Sequence, residues 1–163
     1  MNRYKIWDLD GTVIDSSHRY STLANGDIDL PRWIADNTRA NIEQDTLLPL
    51  ARLMKSNYRQ GDIVIIATAR VLSTWDHVYL SKHQLKANYI LSRSIGDNRP
   101  DAELKRAKLI ALFSDLKIPL PKWTRRATVY DDNETVLSTL ARYGIRTRNA
   151  TILNSRLTKT GAI

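Results

Sequence analysis

The sequence predicts an α/β fold: a doubly wound, Rossmann-like parallel sheet of about five strands, with helices on both faces and a small insert after the first strand. Three observations predict it. Short apolar runs rich in β-branched residues alternate with longer segments of helical spacing. Polar residues stand at or just past the ends of those runs, at Asp8, Thr68 and Asp131. Turn residues such as Gly61, Pro100 and Gly144 separate the elements where a βαβ chain must reverse. Right-handed crossovers then favour a sheet whose site lies beyond the carboxyl ends of its strands.

Residues 4–9 read as the first strand and run into Asp10-Gly11-Thr12. Residues 16–45 interrupt the alternation. Their first half is polar with a turn at Gly26, and residues 31–43 suggest a helix carrying Trp33 and Ile34. This insert is too small for a domain, so residues 1–163 read as one domain with a cap or flap over the site at about 16–45, or an ordinary surface excursion there. Residues 47–58 have helical spacing, and Ile63–Ala67 is a continuous β-branched run expected as a buried strand. A helix over 71–85, a short strand at 89–91 and a helix over 102–116 follow. Residues 127–130 form the next expected strand, and 134–143 the next helix, closed by Gly144. The last strand falls within 145–153, and the basic, polar tail 154–163 is expected to be poorly ordered.

The chain is the size of one ordinary domain and long enough to bury a core. Without cysteine it has no disulfide framework and no thiolate metal site. No apolar run has the length of a membrane span, and Asp8, Asp10 and Asp15 break any signal-peptide pattern. A soluble, cytoplasmic protein is expected. The net charge of +8 is uneven: residues 1–81 carry 9 Lys/Arg against 10 Asp/Glu, and residues 82–163 carry 16 against 7. A basic half suits a polyanionic partner, nucleic acid first among them, and equally a solvated surface.

Four segments carry chemistry. Asp8-Leu9-Asp10-Gly11-Thr12 places two carboxylates two residues apart where a strand meets a glycine turn. Such a pair needs a cation, a shared proton or a reaction to offset its repulsion. Thr68-Ala69-Arg70 sets a small hydroxyl residue after a buried strand. Lys105, with Lys108 one turn further on, lies near a helix start, and Asp131-Asp132-Asn133 is a second acidic pair at a strand end. The histidines at 18, 77 and 83 have no metal-ligand spacing, and Trp7 reads as core. Trp33 suits either stacking on a base or anchoring the insert, with the anchor favoured. Arg19 and Tyr20 are placed to touch a substrate.

In order and in placement these four segments resemble the motifs of the haloacid-dehalogenase superfamily of phosphohydrolases, over roughly residues 4–150. The resemblance implies Asp8 as nucleophile, forming an aspartyl-phosphate, and Asp10 as general acid and base. It implies Mg²⁺ held by the Asp8 side chain, the Asp10 backbone carbonyl and an acid of the fourth motif. Asp131 and Asp132 both fit that last role, with relatives favouring Asp132. Thr68 and Ala69 would contact the phosphate, Arg70 would either fork the phosphate or pair with a nearby carboxylate in support of the site, and Lys105 would neutralise the cluster.

Finer features narrow the family. His18-Arg19-Tyr20, residues 29–33, Ala67-Thr68-Ala69-Arg70 and residues 99–105 resemble the 3′-phosphatase domain of polynucleotide kinase/phosphatase proteins, and favour Lys105 over Lys108. Thr68-Ala69 stands where those relatives often have Ser-Gly. No Gly-x-x-x-x-Gly-Lys-Ser/Thr loop occurs in this chain, so 5′-phosphorylation is not expected. The resemblance therefore implies a Mg²⁺-dependent phosphomonoesterase acting on 3′-phosphorylated nucleic acid or nucleotide ends. Two alternatives stand beside it: a nucleotidase acting on free nucleoside monophosphates, and an inactive nucleic-acid-binding protein on the same fold.

Overall fold

A computed structural model describes residues 2–19 and 21–161. In chain order its elements are β1 (Tyr4–Trp7), β2 (Ile14–Asp15), α1 (Leu30–Asp36), α2 (Arg39–Glu43), β3 (Thr46–Leu47), α3 (Leu50–Arg59) and β4 (Ile63–Ala67). Then follow α4 (Thr74–Lys82), β5 (Tyr89–Leu91), α5 (Asp101–Asp115), α6 (Leu120–Thr124), β6 (Ala127–Asp131), α7 (Glu134–Ala141), β7 (Arg146–Asn149) and α8 (Ala150–Thr160). The main sheet is five-stranded, parallel throughout, in the order β5-β4-β1-β6-β7. This is the doubly wound arrangement predicted. The chain winds from central β1 to one edge and later returns to build the other, so the strand order reverses between β1 and β6. Crevices at such a reversal are where doubly wound folds bind ligands.

Alternation along the strands gives each face its own core. Trp7, Val64, Ile66 and Tyr130 face α3, α4 and α8 through Leu50, Met54, Leu80 and Ala150. Trp7 and Tyr130 stack at 3.8 Å between ring centres, their planes 4° apart. On the opposite face Ile6, Ile65 and Val129 meet Leu109, Phe113, Trp123, Val136 and Leu140. No helix among the described residues is long and apolar enough to cross a membrane.

The insert has a stem. β2 and β3 pair antiparallel, Ile14 opposite Leu47 and Asp15 opposite Thr46, so the chain leaves and re-enters the fold at one place. The single helix expected over 31–43 is two, because the Thr38 hydroxyl accepts the Asn41 N–H and starts α2 afresh. Trp33 is fully buried against Ile28 and Ala69, so it anchors the insert and presents no face to a base.

Other boundaries also move. β1 ends at Trp7, since the Leu9 carbonyl accepts the N–H groups of Thr12, Val13 and Ile14 in a tight turn. Residues 71 and 72 stay outside α4, which starts where Ser73 and Asp76 form a capping box. Residues 47–49 precede α3 because Leu47 is held in the β2–β3 ribbon.

The tail is the largest departure. Residues expected to be poorly ordered form α8, which begins at the Asn149 N-cap and packs Leu153 and Leu157 on the Trp7 side of the sheet. Asn154 supplies a second tie. Its amide donates to the Thr12 carbonyl at 2.9 Å, and its carbonyl oxygen accepts the Leu50 N–H at 2.9 Å. Residues 162 and 163 lie outside the described part of the chain.

Candidate active site

Three strand ends and one helix build the site. Asp8 follows β1, its N–H bound to the Tyr130 carbonyl at 3.0 Å. Asp131 closes β6, and Asp132 follows it. Lys105 lies one turn into α5 and reaches between them, its Nζ 2.8 Å from Asp8 Oδ1 and 2.7 Å from Asp131 Oδ2. All three partners are buried. Lys108, one turn further, has no such contact, so Lys105 is the lysine of the cluster.

Asp8, Asp131 and Asp132 each offer a carboxylate oxygen within 4.8 Å of the others. Burial pushes Asp8 well above the usual carboxylate range; Lys105 pulls it down, while Asp131, Asp132 and Asp10 push it further up. Burial and then the Asp131 charge raise Asp132 to about 6. Lys105 is driven well above its usual value: burial opposes its charge, but Asp131 and Asp8 outweigh it. The cluster thus holds more negative charge than one ammonium balances. Hard carboxylate oxygens at this spacing are the donor set Mg²⁺ takes.

The two fourth-motif acids differ. Asp131 is engaged at both oxygens, by Lys105 and by the Asn133 N–H at 2.9 Å. Among the described residues no ion pair reaches Asp132, which faces Gly11. At Gly11, φ is +70°, and a Cβ would lie 2.3 Å from Asp132 Oδ2. Glycine is required there both for the turn and for the room Asp132 occupies.

Asp10 belongs to a different network. Its carboxylate is forked by Arg70, Nε to Oδ2 at 2.8 Å and Nη2 to Oδ1, and also accepts the Ser16 hydroxyl. Burial alone would raise Asp10, yet Arg70 and Ser16 hold it below its usual value. Its side chain therefore stands apart from the three metal-type carboxylates, leaving the backbone carbonyl as the part the resemblance assigns to metal.

Arg70 takes the second of the two roles open to it, pairing with carboxylates in support of the site. It is 1% exposed, and its guanidinium also donates to Asp76 Oδ1 at 2.8 Å. A side chain so committed supports Asp10 and does not reach out to a phosphate. Arg19 is likewise buried, pairing with Asp45 at 2.6 Å instead of meeting a substrate. Both guanidinium groups lie over the Trp33 ring, at 4.3 Å for Arg19 and 4.8 Å for Arg70. Tyr20 lies outside the described residues. Thr68 is also buried; its hydroxyl accepts the Arg70 N–H at 3.1 Å, and Ala69 forms the pocket wall in front of it.

The corner Gly26–Ile28 of the insert roofs the pocket. The Ile28 N–H donates to Asp101 Oδ2 at 3.2 Å, and Asn133 Nδ2 donates to the Gly26 carbonyl at 3.4 Å. Asp101 also accepts from buried Arg93 at 2.8 Å, one turn ahead of Lys105. Ser16, Asp45, Asp76, Arg93 and Asn154 escaped the sequence reading as contributors. Only Ser73-x-x-Asp76 carried a legible local signal, its capping box; the others are lone polar residues whose partners lie far off in the chain.

A parallel sheet with an acidic, lysine-bridged cluster at its central strand ends is the fold of the haloacid-dehalogenase hydrolases. A family profile described as bacteriophage T5 5′-deoxynucleotidase matches residues 1–162, and the chain belongs to that family. The 5′-deoxynucleotidase of Escherichia phage T5 is 31% identical over 177 residues, covering 96% of this chain and 70% of that protein. Among solved structures, a chain of the Pnkp1/Rnl/Hen1 RNA repair complex superposes with a TM-score of 0.63 at 24% identity. That match covers 91% of this chain and only 42% of the other. A haloacid-dehalogenase family enzyme of Bacteroides thetaiotaomicron, solved with magnesium and inorganic phosphate, gives 0.51 at 12% identity, covering 91% and 94%.

Proposed function

We propose that this protein is a Mg²⁺-dependent nucleotidase that removes the 5′-phosphate of deoxynucleoside monophosphates through a phosphorylated Asp8. The observation that carries the chemistry is the bridge from Lys105 to both Asp8 and Asp131, with Asp132 alongside. Membership of the deoxynucleotidase family supports the substrate.

Asp8 attacks phosphorus, the bond to the ester oxygen breaks, and Asp10 hands its proton to the departing alkoxide. Water then attacks the acyl phosphate and gives a proton to Asp10, and the bond from phosphorus to Asp8 breaks to release phosphate. In the arrangement described here Asp10 is held anionic by Arg70, which is the form that accepts a proton from water. The form that donates one requires its carboxylate to loosen from Arg70. Lys105 keeps Asp8 aligned and offsets charge on the phosphoryl oxygens.

Asp8 and Asp132 would hold the cation by side-chain oxygens, with Asp131 oriented behind by Lys105 and Asn133. When bound, Mg²⁺ would neutralise the approaching phosphate dianion and polarise its oxygens. The Bacteroides fold relative solved with magnesium and phosphate supports magnesium as the cation.

Removal of a 3′-phosphate from nucleic acid is the second reading, favoured by the basic second half of the chain and the fold shared with an RNA repair protein. Phosphate release from deoxynucleoside 5′-monophosphates and from 3′-phosphorylated oligonucleotides, with Mg²⁺ and with chelator, tests both. The first reading expects mononucleotides to be hydrolysed at least about tenfold better, and only with metal. Preference for the oligonucleotide would overturn it.

A further inference from the structure

The pocket lined by Asp8, Asp10, Lys105, Asp131 and Asp132 is about 10 Å³, closed over by the Ile28 N–H to Asp101 Oδ2 contact and far too small for a nucleoside. Beside it opens a cleft of about 340 Å³ between the insert and the loop before α5. The two spaces share a wall, since Ile28 and Asp101 line both. A group esterified to a phosphate held at the acidic cluster has this cleft next to it, on the far side of the Ile28–Asp101 contact.

The lining suits a flat, uncharged, hydrogen-bonding group. Leu23, half exposed, and Pro100 offer apolar surface, while the side chains of Asn25, Asp27, Asp29 and Asn98 supply amides and carboxylates. The cations at the cleft are already paired: Arg93 with Asp101, and Arg99 with Asp97 at 2.6 Å. Among the described residues neither Asp27 nor Asp29 has a cation partner. Extra phosphates of a polynucleotide would thus face unmatched carboxylates here, whereas a nucleoside brings donors for those carboxylates to accept.

We infer that this cleft is the nucleoside subsite, binding the base and sugar of one mononucleotide and selecting against longer nucleic acid. The inference rests on the proposed nucleotidase reading and adds where the leaving group binds. Asn98, exposed at the cleft and not engaged by any other described residue, is the residue to alter. Asn98→Trp fills the cleft without touching the buried acids.

For the wild type, kcat/KM for deoxynucleoside 5′-monophosphates should exceed that for 2-deoxyribose 5-phosphate, which lacks the base, by at least about tenfold. Asn98→Trp should remove most of that advantage, mainly by raising KM. A second measurement does not depend on nucleotide turnover: free deoxynucleosides should inhibit p-nitrophenyl phosphate hydrolysis competitively in the wild type, and at least about tenfold more weakly in the variant. Equal losses on both sugar phosphates, or inhibition unchanged in Asn98→Trp, would overturn the subsite while leaving the nucleotidase reading in place. Hydrolysis of p-nitrophenyl phosphate with no turnover of any deoxynucleotide would instead overturn the nucleotidase reading, and the subsite with it.

Discussion

Arg70 forks Asp10 with two donors and anchors itself on Asp76, so the Asp10 carboxylate is oriented from behind by a residue absent from the pocket wall. Three buried carboxylates, those of Asp10, Asp45 and Asp76, surround the guanidinium groups of Arg70 and Arg19. Removing one member leaves the others as uncompensated buried charge. Arg70→Ala should destabilise the fold by about 3–5 kcal/mol and cut kcat by at least about 10²-fold. Arg70→Lys keeps the charge but loses the planar fork, and should recover stability more than rate. Urea unfolding with steady-state kinetics on both variants checks this; a stable, fully active Arg70→Ala would refute it.

Asp8→Asn keeps shape and removes the carboxylate proposed as nucleophile. Turnover should fall by about 10³-fold or more, while the unfolding midpoint holds or rises, because burial and neighbouring acids already oppose the Asp8 charge. Acid-quenched mass spectrometry should detect a phosphorylated Asp8 in the wild type and not in the variant. Near-normal activity in Asp8→Asn would exclude it as nucleophile.

Lys105 and Lys108 sit on the same helix one turn apart, but only Lys105 joins the carboxylate cluster. Lys105→Ala should lower kcat by at least about 10²-fold, and Lys108→Ala should remain within about twofold of wild type. Parallel kinetics on the pair decide between them, and a larger loss for Lys108→Ala would reverse the assignment.

Gly11→Ala forces a Cβ into the Asp132 carboxylate at a backbone angle that L-residues disfavour. A stability loss of about 1 kcal/mol or more is expected, with a several-fold rise in the Mg²⁺ concentration giving half-maximal activity. A Mg²⁺ titration separates this displaced-ligand effect from general unfolding.

Asn154 couples the last helix to the first motif through the Thr12 carbonyl. Asn154→Ala leaves that carbonyl and the Leu50 N–H without their buried partner, at a cost of about 1–3 kcal/mol. Deleting residues 150–161 should do far more, since it bares the apolar face around Trp7. Thermal unfolding of both variants measures the difference.

Fold class and the placing of the acidic residues at the strand ends were legible from residue order. Ile63–Ala67 could hardly be anything but a buried strand, and acids at 8, 10, 131 and 132 fall at strand ends whatever the details. That information is local: periodicity sets element type, and parallel strands deliver their carboxyl ends to one edge. What residues share across long separations was not legible. Arg70 read as a phosphate contact or a carboxylate partner, and Arg19 as placed to touch a substrate, with no local signal to name their actual partners. Only the packed structure shows Asp45 and Asp76 waiting for them. The tail read as frayed because basic, polar residues lack a strong apolar stripe, yet Leu153, Leu157 and Asn154 suffice once the sheet face and the Thr12 turn are in place. By itself, then, the sequence determined the doubly wound sheet and the acids and lysine at its carboxyl edge. Tertiary structure decided which charges neutralise one another and which side chains reach the pocket, because those depend on distances between segments that the chain brings together only by folding.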